Sequence, residues 1–297
     1  MRNRLLGEEH PDTISAMNNL ENTYESVGKY AEAEKLQIEV LNARTRLLGE
    51  WHPDTITAMN NLAVTYKSIG KYADAEKLQI QVLHMRNRLL GEEHPDTLWA
   101  MGNLANIYQS LEKYTDAEKL QIEVLYARSR YLGEEHPDTL WAMGNLAVTY
   151  KSLGKYTDAE KLQIKVLDIR NRLLGEEHPD TIWAIGDLAN TYESLGNYTN
   201  VEKLQIQLLN MRNRFMGEND PHTIDAMENL SITFHNLQKY PDAEKLAVQV
   251  VDARGKKYGG EHPKTVKAVA LLGSFRFQAI INTSGTESKK KGGLYLL

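Results

Sequence analysis

The chain has no cysteine among its 297 residues. A disulfide framework, a thiolate nucleophile and a zinc–thiolate site are therefore excluded, and the composition suits a reducing interior. No apolar run approaches the roughly 20 residues that cross a bilayer, and Met1 to Gly7 lacks the apolar stretch of a signal peptide. There is no basic excess. A formal charge of −5 leaves no electrostatic footprint for nucleic acid or an anionic membrane. The expected setting is cytoplasmic, and the glycosylation-like patterns at Asn197, Asn229 and Asn282 are read as chance. No Gly-rich phosphate loop, nucleophile elbow or paired acid/base constellation occurs, so no catalytic residue, no cofactor and no enzyme activity is expected.

Proline is scarce too, and its placement is the first positive signal. Seven of the eight prolines stand at Pro11, Pro53, Pro95, Pro137, Pro179, Pro221 and Pro263, each 42 residues after the last. His-Pro-Asp-Thr begins at His10, His52, His94, His136 and His178, then decays to Asp220-Pro-His-Thr and His262-Pro-Lys-Thr. Tyr30, Tyr72, Tyr114, Tyr156, Tyr198 and Tyr240 keep the same step, each opening a Tyr-x-x-(Ala/Val)-Glu-Lys-Leu run. A fixed period of this size signals a solenoid or array. It also explains how so long a chain can fold without one large globular core.

Each unit reads as two helices. Proline suits a first turn, where its missing N–H has no partner to lose, and the acid after it favours the positive helix end. Ala100, Leu104, Ala105, Tyr108 and Leu111 recur at helical spacing. Gly28 and Gly154 supply turns, and a second helix runs from about Tyr30 to Leu48 before Gly49. Neither helix buries its stripe alone, so hairpins must stack. The expected fold class is all-α, a right-handed α-solenoid of stacked antiparallel helical hairpins. Its expected parts are 1–10, the tail of a preceding repeat helix; six units at 11–52, 53–94, 95–136, 137–178, 179–220 and 221–262; a partial seventh at 263–281; and a disordered tail at 282–297. Residues 1–7 repeat residues 85–91, and neither end looks like a polar cap. The chain thus reads as a piece of a longer array or a shortened product, whose open ends could self-associate.

Asn-Leu-Ala-x-x-Tyr in the first helix (Asn61 to Tyr66, Asn145 to Tyr150) and Ala-Glu-Lys-Leu in the second resemble the tetratricopeptide repeat. The 42-residue step and the Leu-Gly-Glu-x-His-Pro-Asp-Thr linker resemble its kinesin light chain variety. They are similar also to the repeat tails of fungal and bacterial NLR-like proteins, which carry an ATPase domain upstream. The resemblance covers residues 1–281 and implies a scaffold that binds a protein or peptide, with sensing or motor adaptation as the alternatives. One departure is Gln37, Gln79, Gln121, Gln163 and Gln205, where the family usually has a bulky or aromatic residue.

Comparing the six units locates their variation in the first helix. The variable places are Ser15/Thr57/Trp99/Trp141/Trp183/Asp225, Asn18/Asn60/Gly102/Gly144/Gly186/Glu228, Asn22/Val64/Asn106/Val148/Asn190/Ile232 and Glu25/Lys67/Gln109/Lys151/Glu193/His235. Spacings of 3, 4 and 3 put them on one helix face. The family resemblance implies that this stripe lines a concave groove. Trp99, Trp141 and Trp183, each one turn from a glycine, would form an apolar trough there, or would tighten the stack of first helices. Asn19, Asn61, Asn103, Asn145 and Asn229, with Asp187, make a ladder that could clamp a peptide backbone or bond one repeat to the next. Lys67 and Lys151, alternating with Glu25 and Glu193, could read charge or be merely solvated. The candidate groove therefore comprises Asn18, Asn19, Asn22, Asn60, Asn61, Lys67, Trp99, Asn103, Asn106, Gln109, Trp141, Asn145, Lys151, Trp183, Asp187, Asn190 and Glu193. His-Pro-Asp also resembles a co-chaperone tripeptide, but here it is a recurring linker. Histidines on successive hairpins, about 10 Å apart, do not share a metal ion.

Overall fold

The computed structural model describes residues 10–292, within which there are thirteen α-helices and no strand. First helices of 16 residues are α1 (Pro11–Ser26), α3 (Pro53–Ser68), α5 (Pro95–Ser110), α7 (Pro137–Ser152), α9 (Pro179–Ser194) and α11 (Pro221–Asn236). Second helices of 19 residues are α2 (Tyr30–Leu48), α4 (Tyr72–Leu90), α6 (Tyr114–Leu132), α8 (Tyr156–Leu174), α10 (Tyr198–Met216) and α12 (Tyr240–Tyr258). The last helix is α13 (Pro263–Gly292).

The linker phrase builds each helix start. His52, His94, His136 and His178 hold extended backbone, and each Nδ1 accepts from the N–H of the aspartate two residues on, at 3.1 or 3.2 Å. An imidazole that accepts at Nδ1 carries its proton on Nε2. This is an N-cap made by histidine, with proline at the first helical position. Asp220 does the same work before α11, its Oδ1 accepting from the His222 N–H at 2.8 Å. The hairpin turn is a left-handed cap: Gly70 has φ 80°, and the Lys71 N–H donates to the Tyr66 carbonyl at 2.8 Å. In the third and sixth repeats Glu112 and Gln238 hold the same conformation at φ 59° and 61°, without glycine's freedom.

Backbone contacts divide the chain into two compact bodies, Met1–Lys155 and Tyr156–Leu297. Within each body every helix packs on the next in sequence. A repeated core cluster drawn from three helices explains why. In the first body Ile14 of α1 meets Val40 and Ala43 of α2 and Ala58 of α3. The next repeat brings together Ile56, Met59, Val82 and Ala100, and the next Leu98, Met101, Val124, Ala127 and Ala142. In the second body Ile224, Met227, Val250 and Ala268 do so. Each cluster joins a first helix, its own second helix and the following first helix, so burial propagates along the array.

Ion pairs between repeats reinforce this. Lys71, Lys113 and Lys155 reach Glu34, Glu76 and Glu118 at 2.6 Å, and in the second body Lys239 reaches Glu202 at 2.6 Å. Of the unexpected glutamines, Gln37, Gln79, Gln121 and Gln163 are buried and Gln205 is half-buried, and two of them bridge helices in the first body. Gln79 Nε2 donates to Asn60 Oδ1 at 3.2 Å and to the Ala100 carbonyl at 3.1 Å, while Gln37 donates to the buried Glu21 at 2.6 Å.

Two expectations about the ends meet the structure differently. Of the predicted tail of a preceding helix at 1–10, residues 1–9 lie outside the described residues. At the other end, α13 continues to Gly292, across most of the segment that polarity alone read as disordered. No proline follows Pro263 to stop it, and the serine, glutamate and lysine there are all compatible with helix. Residues 293–297 lie outside the described residues.

Candidate functional site

The variable stripe occupies one side of the first helices. On α1, Asn18 is half-buried, Asn19 is exposed with its carbonyl accepting the Thr23 hydroxyl at 2.9 Å, and Asn22 lies one turn further on. On α3, Asn60 and Asn61 are half-buried. Lys67 is half-buried too, and that burial holds its ammonium below the usual lysine range.

Polar stripe residues of neighbouring repeats meet directly. Asn103 Nδ2 donates to Asn60 Oδ1 at 3.0 Å, on the same oxygen that Gln79 uses. Gln109 Nε2 donates to the Thr149 hydroxyl at 2.5 Å and to the Asn145 carbonyl at 3.4 Å. Asn60, Asn103, Gln109 and Asn145 thus join adjacent first helices. Asn106 and Lys151 are half-buried beside them. In the second body Asp187, Asn190 and Glu193 are exposed along α9.

The tryptophans form a more specific structure than a plain apolar trough. Trp99 and Trp141 lie with ring centroids 5.8 Å apart and planes tilted by 35°. Arg128, from α6, places its guanidinium 5.5 Å from one ring centroid and 5.4 Å from the other. The cation therefore faces both π-systems. Gly102 does not make room for the indole of its own repeat. A Cβ there would stand 3.5 Å from the Trp141 ring, so the glycine seats the indole of the next repeat. Trp183, in the second body, is 73% exposed against 44% and 36% for Trp99 and Trp141.

Arg128 belongs to a row that reading the sequence for variation passed over. Arg44, Arg86, Arg128, Arg170, Arg212 and Arg254 recur at the same step of 42 on the second helices. Each Nη1 donates to the carbonyl of the second residue of the following first helix: 2.9 Å to Asp54, 2.8 Å to Asp96, 3.0 Å to Asp138, 2.8 Å to Asp180, 2.8 Å to His222 and 3.3 Å to Lys264. Burial pulls the Arg86, Arg128 and Arg212 guanidinium groups below their usual range. Arg254 differs. Burial acts against its charge, but Glu228, at 2.8 and 2.9 Å, and Asp225, at 2.7 Å, hold it above the ordinary value. Those two acids occupy the positions that are Trp and Gly in the three preceding repeats. The signal was present as a strict period, but an invariant residue reads as framework when variation is the criterion.

Among the described residues no group of three or more His, Asp or Glu could hold a metal ion, and no helix is long and apolar enough to cross a membrane. The family model for the tetratricopeptide repeat matches residues 22–86, 54–125, 101–162, 148–204 and 185–256. No curated protein matches the chain. A solved protein of the kinesin light chain type from Podosopora anserina, with nearly identical TPR-like repeats, is 25% identical with a TM-score of 0.65, covering 70% of this chain and 98% of that one. BtubC from P. vanneervenii is 19% identical with a TM-score of 0.61, covering 84% and 92%. A signal transduction ATPase with a tetratricopeptide repeat sensor, from Pyrococcus horikoshii, is 15% identical with a TM-score of 0.71; the match covers 90% of this chain but 39% of that one. The last two show likeness of fold alone. With the family model spanning most of its length, and with each helix packed on the next within each body, the chain belongs to the tetratricopeptide repeat family, a fold that generally serves as a protein–protein interaction scaffold and is typically non-enzymatic.

Proposed function

We propose that the protein holds a peptide or a segment of a partner protein against the variable face of its first helices. The observation that supports this is a scaffold whose core repeats while one stripe changes, with large aromatics left exposed on that stripe. Trp183 is the extreme case at 73% exposure. Tryptophan is the residue type most enriched at binding hot spots. The mechanism is preorganisation: stacked hairpins fix the face beforehand, so little ordering entropy is lost on binding. Asn61, Lys67 and Asn106 in the first body, and Asn190 in the second, would contact the ligand backbone and its charges.

The test is a peptide-array and pull-down comparison of the intact chain with the Trp99/Trp141/Trp183→Ala triple variant, both first shown to be helical by circular dichroism. Partners lost from the variant locate the site on this face. Retention of every partner would move the search to the second helices and the ends of the array.

A second reading follows from the likeness to the ATPase with a tetratricopeptide sensor, of which this chain matches 39%. In it the array senses a ligand and self-associates as one part of a larger signalling protein. A nucleotide-binding domain encoded upstream in the same reading frame would support it. A kinesin light chain-like adaptor would instead need an upstream heptad coiled coil.

A further inference from the structure

The first body contains its own example of an occupied slot. Trp141 sits against Trp99, over Arg128 and against Gly102. Shifting each residue by two repeats gives Trp183, Gly186 and Arg212, all in the second body. The residue that would play the part of Trp141 is Asp225. Asp225 cannot fill the slot. It is a short acid, and its Oδ1 is bonded to Arg254 at 2.7 Å.

The consequences are visible locally. A Cβ at Gly186 would meet nothing within 4 Å, where one at Gly102 meets Trp141. Trp183 is 73% exposed. A cleft of about 560 Å³ opens along Trp183, Gly186, Arg212, Phe215 and Met216, within the size range of small-ligand sites, roughly 300–1,000 Å³. Phe215 and Met216 are themselves 53% and 54% exposed, so the far wall is apolar and uncovered. Arg212 lines the same cleft, held below its ordinary pKa by burial, with Asp225 and Asp220 as the acids acting on it.

We propose that this cleft is the receptor for an aromatic side chain, tryptophan above other types, presented by a peptide partner, and that the incoming ring takes the place Trp141 takes in the first body. The proposal rests on the peptide-binding reading above and names the part of the ligand that reading leaves open. The recognition chemistry is the one the protein already uses: a ring offset against an indole, a guanidinium facing its π-surface, and a glycine opposite in place of a side chain.

The probe is N-acetyl-tryptophanamide, titrated into the full chain while the indole N–H signals are followed by NMR. N-acetyl-leucinamide serves as the control. The expected result is a saturable shift of the Trp183 signal, at least several-fold larger than that of Trp51, with little response to leucinamide. Asp225→Trp supplies the missing internal ring and should abolish the shift. Gly186→Leu keeps the Asp225–Arg254 pair, fills the slot from α9 and should do the same, so the outcome does not hang on one variant's folding. Equal response to both probes, no saturable shift, or unchanged binding to a folded Gly186→Leu variant would each overturn the proposal. Such a failure is separable from failure of the broader reading. If the tryptophan triple variant still loses its partners, only the aromatic slot is wrong. If it keeps them while the probe binds, the slot stands and the groove reading falls.

Discussion

At the residue scale, two substitutions test how the chain turns its corners. His136 caps α7 through Nδ1, and Asp220 shows that a carboxylate serves equally before α11. His136→Ala should therefore lower stability by about 0.5–2 kcal/mol, while His136→Asp should leave it unchanged or raise it. Paired chemical denaturation curves for the two variants check this order. Glu112 is held at φ 59° where the first, second, fourth and fifth repeats have glycine. Glu112→Gly should stabilise the protein by about 1 kcal/mol through relief of left-handed strain, read as a higher thermal midpoint. Neither feature was legible in full. The periodic histidine pointed to the helix start, but that its ring nitrogen makes the cap depends on a rotamer. The missing glycine in the third turn was visible, yet its cost appears only once the backbone is seen to keep the same conformation.

At the scale of the element, the hairpin was highly legible, because proline, tyrosine and glycine mark helix ends every 42 residues and apolar spacing supplies the rest. What spacing does not say is which neighbour a side chain reaches. Gly102 reads as room beside Trp99 but faces Trp141, whose long indole reaches it from the next first helix. The asparagine ladder left two roles open, and at Asn60–Asn103 it bonds repeat to repeat. The arginine row gives an ordered prediction at this scale. Arg254→Met leaves Glu228 and Asp225 without their partner and should cost about 3–5 kcal/mol. Arg44→Met removes a bond to a single carbonyl and should cost about 1 kcal/mol. Urea denaturation of both variants tests the ranking. Equal losses would show that the acid pair is not what sets Arg254 apart. The end of α13 went the other way: composition argued for disorder where the backbone continues as helix to Gly292.

At the scale of the molecule, the array divides labour between parts that repeat and parts that do not. The clusters built on Ile14, Ile56, Leu98 and Ile224 repeat because each must join two hairpins. The stripe varies while these clusters stay constant, and what it does for stacking changes with the residue: Asn60 bonds to the next repeat through Asn103, Trp99 and Trp141 face the guanidinium of Arg128, and Asp225 and Glu228 pair with Arg254. This is why Trp183 separates binding from stability better than its two relatives: it has the same chemistry but stands far more exposed. The most direct measurement is thus Trp183→Ala, with affinity for a captured partner peptide and thermal unfolding recorded on the same preparation. The account predicts at least a tenfold loss of affinity with a midpoint shifted by no more than about 2 °C, as expected for an exposed side chain worth under about 0.5 kcal/mol to the fold. Unchanged affinity, or a loss of stability matching the loss of affinity, would contradict it and return the tryptophans to the role of packing.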